Sequence, residues 1–568
     1  MIPGALTAAL GTSADARAAL RPKTSGAADL ILTNGKILTI DRNFAVADTI
    51  AIKGDKIVAV GSRAAVAPFG GPAVPTIDLK GRTVVPGLID THAHMDLEGV
   101  KGVLPSLAGV RSIQDLQDRI ADLARRARPG EWIVTMPLGD PPAYLDVPHV
   151  LAEQRWPTRQ ELDAAAPNNP VLIRPMSGYL RGPPMVGIAN TEALRRAGIT
   201  RETIEPVPQL VIVKDASGDP NGVIIENGLP PVLEQTWFRE PTAVKYADRV
   251  RGVSISQAAY HAFGTTGIYE GHGLSNLAIR AYKQSYREGK LSMRAGLVLS
   301  PNWGVVGNGP VAPFLEAWGG AAGAPSLGDD QLKVDGLYTS IGDPAAGGLP
   351  RERVKEILLA CARNDIRASM NFGRSGIIDL LDEVDREIPL NGRRWVVTHV
   401  NLITPRDVER IARMGLVLTS HFNEFLLRDG HLFQQRLPKE QWGWNTPLRD
   451  LLDAGVKVGL VTDNNPVSLW KPIWGAVARR STSTNERFSP EQAVTRQEAL
   501  RCATMHGAYL TWDEDKRGSL EPGKLADLAV LSADPLTVGE PAIRDISAEM
   551  TMVGGKIVHQ RAGGPAQG

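Results

Sequence analysis

Cysteine is nearly missing from this chain. Its 568 residues hold two, Cys361 and Cys502, at a separation that fits no metal or redox motif. A disulfide framework is thereby excluded. Neither sign of charge is in excess: 63 Lys and Arg stand against 62 Asp and Glu, a formal net charge of +1. A nucleic-acid binder concentrates a basic surplus, so none is expected as a partner. No uninterrupted apolar run reaches the roughly 20 residues that span a bilayer, so no membrane segment is expected. What remains is an ordinary globular composition, 43% hydrophobic and 22% charged, with 58 Gly and 41 Pro. The length exceeds one small domain and suits a large barrel with a satellite domain.

The first residues stand apart. Met1–Ala18 is small, Ala-rich and free of charge before Asp15, and ends in Ala16-Arg17-Ala18. Two readings of residues 1–27 stay open: the back half of a secretory signal, or a disordered tail. The first implies a periplasmic or secreted protein, the second a cytoplasmic one.

From Ala28 to about Val85 short apolar runs alternate with Gly punctuation, such as Leu30-Ile31-Leu32, Lys36–Ile40, Thr49–Ile52 and Lys56–Val60. Asn34-Gly35 and Gly54-Asp55 sit where hairpin turns are expected. The C-terminus repeats the style in Asp527–Leu531 and Thr551–Val558. Residues 28–85 and 516–568 are therefore expected to form one discontinuous β-sandwich around a central domain, residues 86–515.

That middle alternates strands with helices, the pattern of a parallel α/β sheet. Expected strands are Val84–His92, Thr265–His272, Met293–Ser300, Gln331–Tyr338, Ile366–Asn371, Arg394–Val400, Leu416–His421 and Lys457–Asp463. Helices are expected at Arg353–Asn364 and Pro405–Met414. Eight strands with helices between them predict a (β/α)8 TIM barrel. The stretch from about 100 to 250 is too long for one loop and reads as an inserted lobe, with a helix at Ser112–Arg126.

His92 and His94 are two apart at the end of the first apolar strand. Strand side chains alternate faces, so both imidazoles point into the barrel mouth, where barrel enzymes keep their active sites. Two neutral imidazoles converging on one point suit Zn²⁺ or a similar divalent ion. Asp463 ends the last expected strand; a carboxylate there either caps the next helix or serves the site. His399 and His421 end two other strands, and Glu270-Gly271-His272 ends the second. Trp442, Trp444, Trp470 and Trp474 follow the seventh and eighth strands, as barrel packing or as an aromatic substrate pocket.

The run Val84-Val85-Pro86-Gly87-Leu88-Ile89-Asp90-Thr91-His92-Ala93-His94 closely resembles the first-strand motif of the amidohydrolase superfamily. Gly518-Ser519-Leu520-Glu521-Pro522-Gly523-Lys524-Leu525-Ala526-Asp527-Leu528 resembles the segment that leads that family back into its sandwich. Interior runs such as Asn190-Thr191-Glu192-Ala193-Leu194 look like the N-substituted formamide deformylase branch. The resemblance implies a metal-dependent hydrolase with Asp463 as metal ligand and general base, and His399 as a second-metal or substrate-facing residue. Two places depart from the family. Its fourth-strand lysine stands four residues before an Asp-Gly, a place held here by Gln331, with Lys333 two before Asp335-Gly336. Its fifth-strand histidine is replaced by Met370-Asn371.

The expectation is one divalent ion per chain, most plainly Zn²⁺, held by His92, His94 and Asp463, with Lys333 as a candidate fourth ligand. Such an ion lowers the pKa of bound water from roughly 16 to about 7, giving hydroxide for attack on a carbonyl. The expected reaction is hydrolysis of a non-peptide C–N bond (amide, formamide or carbamate) in a small apolar or aromatic molecule. His421, Glu270, His272, Asn371, Trp442 and Trp470 are the expected substrate contacts. Ester or lactone hydrolysis, deamination, and a non-catalytic binding barrel are the alternatives. A homo-oligomer is compatible with all of them.

Overall fold

The computed structural model describes residues 26–565, apart from 142–143, 145–146, 176–183, 228–231, 301–310, 319–326, 340–348, 372–375, 421 and 423. The signal-like segment and His421 lie outside the described residues.

Two sheets from the chain ends enclose one apolar core. The first runs Lys56–Gly61, Thr49–Lys53, Leu30–Thr33, Thr76–Asp78; the second runs Lys556–Gln560, Ala548–Val553, Leu528–Leu531, Thr83–Pro86, Lys36–Leu38, Val46–Ala47. Leu32, Ile50 and Ile57 of the first meet Ile37, Val84, Val530 and Met552 of the second. Gly54-Asp55 turns a true antiparallel hairpin, with Lys53 opposite Lys56. Asn34-Gly35 does not: the strands it joins belong to different sheets, so the turn passes the chain across the sandwich. Local turn chemistry marks a reversal but does not say which sheet receives the next strand.

The expected first barrel strand divides in two. Thr83–Pro86 pairs within the sandwich, and Leu88–Asp90 alone enters the barrel. Pro86 lacks the N–H a continuous ladder needs, and at Gly87 a Cβ would collide with Thr266. The barrel then runs in parallel through Leu88–Asp90, Thr265–Leu274, Arg294–Leu299, Leu332–Thr339, Ala368–Asn371, Val396–Thr398, Val417–Ser420 and Val458–Leu460. The Thr91 N–H and hydroxyl both donate to the Leu460 carbonyl, at 3.3 and 2.9 Å, drawing the eighth strand back to the first. This is an α/β fold built on a (β/α)8 barrel.

Between the first and second barrel strands lies a separate five-stranded sheet, ordered Leu210–Lys214, Pro220–Glu226, Met185–Ala189, Val171–Ile173, Ile133–Thr135. The helix Ile113–Arg126 packs on it, capped by the Ser112 hydroxyl accepting from the Asp115 N–H, and buries Ile113, Leu116 and Ile120. Among the described residues no helix is long and apolar enough to cross a membrane.

The N-terminal end of the barrel is plugged by charge. Arg367, fully buried, donates to Asp335 at 2.8 Å; Lys333 and Arg517 both reach Asp513, at 2.8 and 2.7 Å. Lys333 stands second in its strand and therefore faces this end, away from the mouth. The lysine expected as a fourth ligand is a buried ion-pair partner instead.

Candidate metal centre

The first strand ends at Asp90, and the two histidines beyond it stay in register with the second strand through the Ala93 N–H, which donates to Tyr269 O at 2.9 Å. His92 and His94 are buried, with ring centroids 5.2 Å apart. Asp463 meets them from the turn after the eighth strand. His94 Nε2 lies 2.8 Å from Asp463 Oδ1 and His92 Nε2 lies 3.7 Å from the same oxygen. Two imidazole nitrogens and a carboxylate thus face one point, a donor set that suits a divalent ion of zinc type. The far nitrogen of His92, Nδ1, lies 3.4 Å from the Thr398 hydroxyl, the kind of outer contact that orients a ligating ring. Gly271 makes room for that ring: a Cβ there would lie 2.8 Å from His92 Nδ1.

Burial pushes the His94 imidazole well below its usual pKa, with His272 adding to the shift, so the ring stands neutral with a lone pair to give. His399 follows the sixth strand in a left-handed conformation (φ 61°), which swings its ring to 5.0 Å from that of His92. It too is lowered by burial, against the pull of Asp463. His399 therefore joins the cluster, as its place at a strand end implies.

His272 has a different setting. Its ring stacks on His94 at 3.9 Å, while Nε2 faces Asp96 and Nδ1 faces Glu270, each at 3.4 Å. Burial alone would lower its pKa, but the two carboxylates hold it up to about 9. A second group of donors, His94, Asp96 and His272, also converges. In this group His272 is held at one ring nitrogen by Asp96 and at the other by Glu270. Glu270, expected at the mouth, is sealed beneath it: its carboxylate accepts the Asp96 N–H at 3.1 Å and the Tyr282 hydroxyl. Burial and the Asp96 charge push Glu270 up to about 8.

The tryptophans separate. Trp470 is fully buried in the main apolar core, its indole N–H donating to Phe263 O at 3.1 Å, so it is packing and not a substrate contact. Trp474 is buried in the same core. Trp442 is half-buried in a short 3-10 turn, Lys439–Trp444, that is drawn to the loop after the sixth strand by Thr446 N donating to Asn401 O at 2.6 Å. Asn371 ends the fifth strand opposite Thr398, and its side chain lies outside the described residues.

Three residues around the cluster escape a search for ligands alone. Asp90 and Asn464 flank the histidines and Asp463 in sequence, and Asp96 lies two beyond His94. The available signal was adjacency: each is a polar residue within two positions of a proposed ligand.

A barrel carrying such a cluster at the C-terminal ends of its strands defines the class, and the comparisons supply the family. Residues 75–559 match the amidohydrolase family model, and the chain belongs to that family. It is 27% identical to an N-substituted formamide deformylase of Arthrobacter pascens, over 94% of this chain and 99% of that one. Its fold is similar to that of an uncharacterized metal-dependent hydrolase from Pyrococcus horikoshii OT3, with a TM-score of 0.67 at 23% identity, covering 90% of this chain and 99% of the other. It is also similar to that of an atrazine chlorohydrolase from Arthrobacter aurescens TC1 complexed with zinc, with a TM-score of 0.51 at 17% identity, covering 94% and 95%.

Proposed function

We propose that this chain is a zinc-dependent hydrolase of a non-peptide C–N bond in a small acylamine, such as a formamide, amide or carbamate. One observation carries the reading: His92 Nε2, His94 Nε2 and Asp463 Oδ1 face a common point at the barrel mouth. The full-length likeness to a formamide deformylase supports the choice of bond.

His92, His94 and Asp463 would hold the ion, which when bound supplies Lewis-acid polarisation and an acidified water. Asp463 is the one carboxylate of the three, so it takes the proton from the attacking water and returns it to the leaving nitrogen. His399, neutral and 5.0 Å from His92 between ring centres, is placed to hydrogen-bond the substrate oxygen as charge develops there. His272 stacks on the His94 ring and is itself fixed by Asp96 and Glu270, so it supports the orientation of that ligand. Lys333 has no part in this reading.

Asp463→Asn tests it. The variant keeps the size of the side chain and one coordinating oxygen, so metal content by elemental analysis should stay near that of wild type. Amine release from an N-alkyl or N-aryl formamide should fall by at least about a hundredfold. A folded, metal-loaded variant with undiminished turnover would remove Asp463 from the chemistry.

A further inference from the structure

The turn that presents Asp463 is unusual in its backbone. Asp463 and Asn464 are consecutive non-glycine residues in the left-handed region, at φ 53° and 55°. Such conformations persist only where the surroundings over-determine them. Here two buried side chains, those of Asn464 and Asp90, bond across between the first and eighth strands. The Asn464 amide brackets the His94 backbone: Oδ1 accepts the His94 N–H at 3.1 Å and Nδ2 donates to the His94 carbonyl. The Tyr260 hydroxyl donates to the same Oδ1 from the helix that precedes the second strand. On the other side Asp90, buried, accepts the His92 N–H and the Thr462 N–H at 3.2 Å each, and the Thr462 hydroxyl at 2.5 Å. The Asp463 N–H closes the set by donating to His92 O at 3.3 Å.

His94, and Asp463 through its neighbour Thr462, are thus tied to a side chain from the opposite strand, while His92 is held by Asp90 of its own strand and by the Asp463 N–H. The first and eighth strands are joined through the backbone by Thr91 N–H to Leu460 O and by Asp463 N–H to His92 O, at 3.3 Å each. The side chains of Asp90 and Asn464 add the further bonds between them. We propose that Asp90 and Asn464 are positioning residues that lock the His92–His94 segment against Asp463 and so set the spacing of the three ligands. The inference rests on the assignment of those three residues as the metal centre.

Asn464→Gly separates the two things Asn464 does. Glycine adopts a positive φ freely, so the turn keeps its backbone while the bonds to His94 are lost. Co²⁺ binding to the full chain, followed by its visible absorption under competition from a chelator, reads both affinity and ligand geometry. Asn464→Gly and Asp90→Ala should each weaken Co²⁺ binding about tenfold or more and alter the absorption bands. Asp90→Asn, which keeps one oxygen acceptor in place, should recover part of the loss. Thermal melting of the metal-free proteins controls for a general loss of fold, and Asn464→Gly should melt close to wild type.

Co²⁺ affinity and spectrum in Asn464→Gly within twofold of wild type would overturn the inference and leave the metal centre standing. So would an Asp90→Asn that binds no better than Asp90→Ala. Wild-type protein that takes up no Co²⁺ would overturn the metal centre itself, and this inference with it.

Discussion

An indole that follows a barrel strand has two physical fates, and hydrogen bonding decides between them at Trp470, the first residue of the helix Trp470–Ala478. Its ring is fully buried among aliphatic side chains and its N–H is spent on a backbone carbonyl from the far side of the packing, Phe263 O. Nothing of it is left for a substrate. Trp470→Phe should therefore lower stability by about 1–3 kcal/mol, from lost volume and a stranded carbonyl, while KM for aromatic and small acylamines stays unchanged. A variant with an intact melting temperature and a raised KM for aromatic substrates alone would put the ring back in the pocket. Glu270 teaches the same lesson for charge. A strand-end carboxylate is a fair candidate for the mouth, yet this one is turned under it to support the Asp96 N–H and to hold His272.

At the scale of elements, all eight barrel strands were legible, because an apolar run ending in a polar residue is a strong signal when helices separate the runs. So was the helix Ile113–Arg126, through its Ser112 cap and its apolar stripe. Three things were not legible. The split at Pro86-Gly87 divides one continuous apolar run between two sheets. Asn34-Gly35 has hairpin chemistry but changes sheet. Lys333 has the right face of its strand but the wrong height, since its second position in Leu332–Thr339 puts it at the closed end.

That last placement has a consequence for stability. Burial alone would raise the Asp513 carboxyl, but Arg517 and Lys333 beside it hold it down at about 2, against an ordinary 3.8. A carboxyl depressed in the folded state stabilises above its unfolded pKa, and the contribution is lost as pH falls through the folded value. Stability should thus drop between about pH 4 and pH 2, and Asp513→Asn should flatten that part of a melting-temperature profile. Lys333→Met should keep its metal content. It should lose less than the roughly 3–5 kcal/mol that orphaning a buried charge costs, because Arg517 still pairs with Asp513. Loss of the bound ion on this substitution would show that Lys333 reaches the mouth after all.

At the scale of the molecule, the barrel places one polar cluster at the mouth; the motif Leu88–His94 made His92 and His94 readable from sequence, and the family resemblance pointed to Asp463. Asp463 follows the eighth strand, 369 positions from His94, and the closure of the barrel brings the two within 2.8 Å. Tyr260, whose role depends on that closure, carries no signal of its own in the chain, and Asn464 carries only its adjacency to Asp463.

A mouth that holds an ion and breaks a C–N bond must lose its activity with its metal. The most direct test is one measurement: mass-spectrometric detection of products from a matched panel of N-substituted formamides, amides, carbamates and esters, run with zinc-replete and chelator-stripped protein. The account predicts amine release from at least one acylamine, abolished by stripping and restored by Zn²⁺. Turnover indifferent to the metal, or cleavage confined to esters, would contradict it.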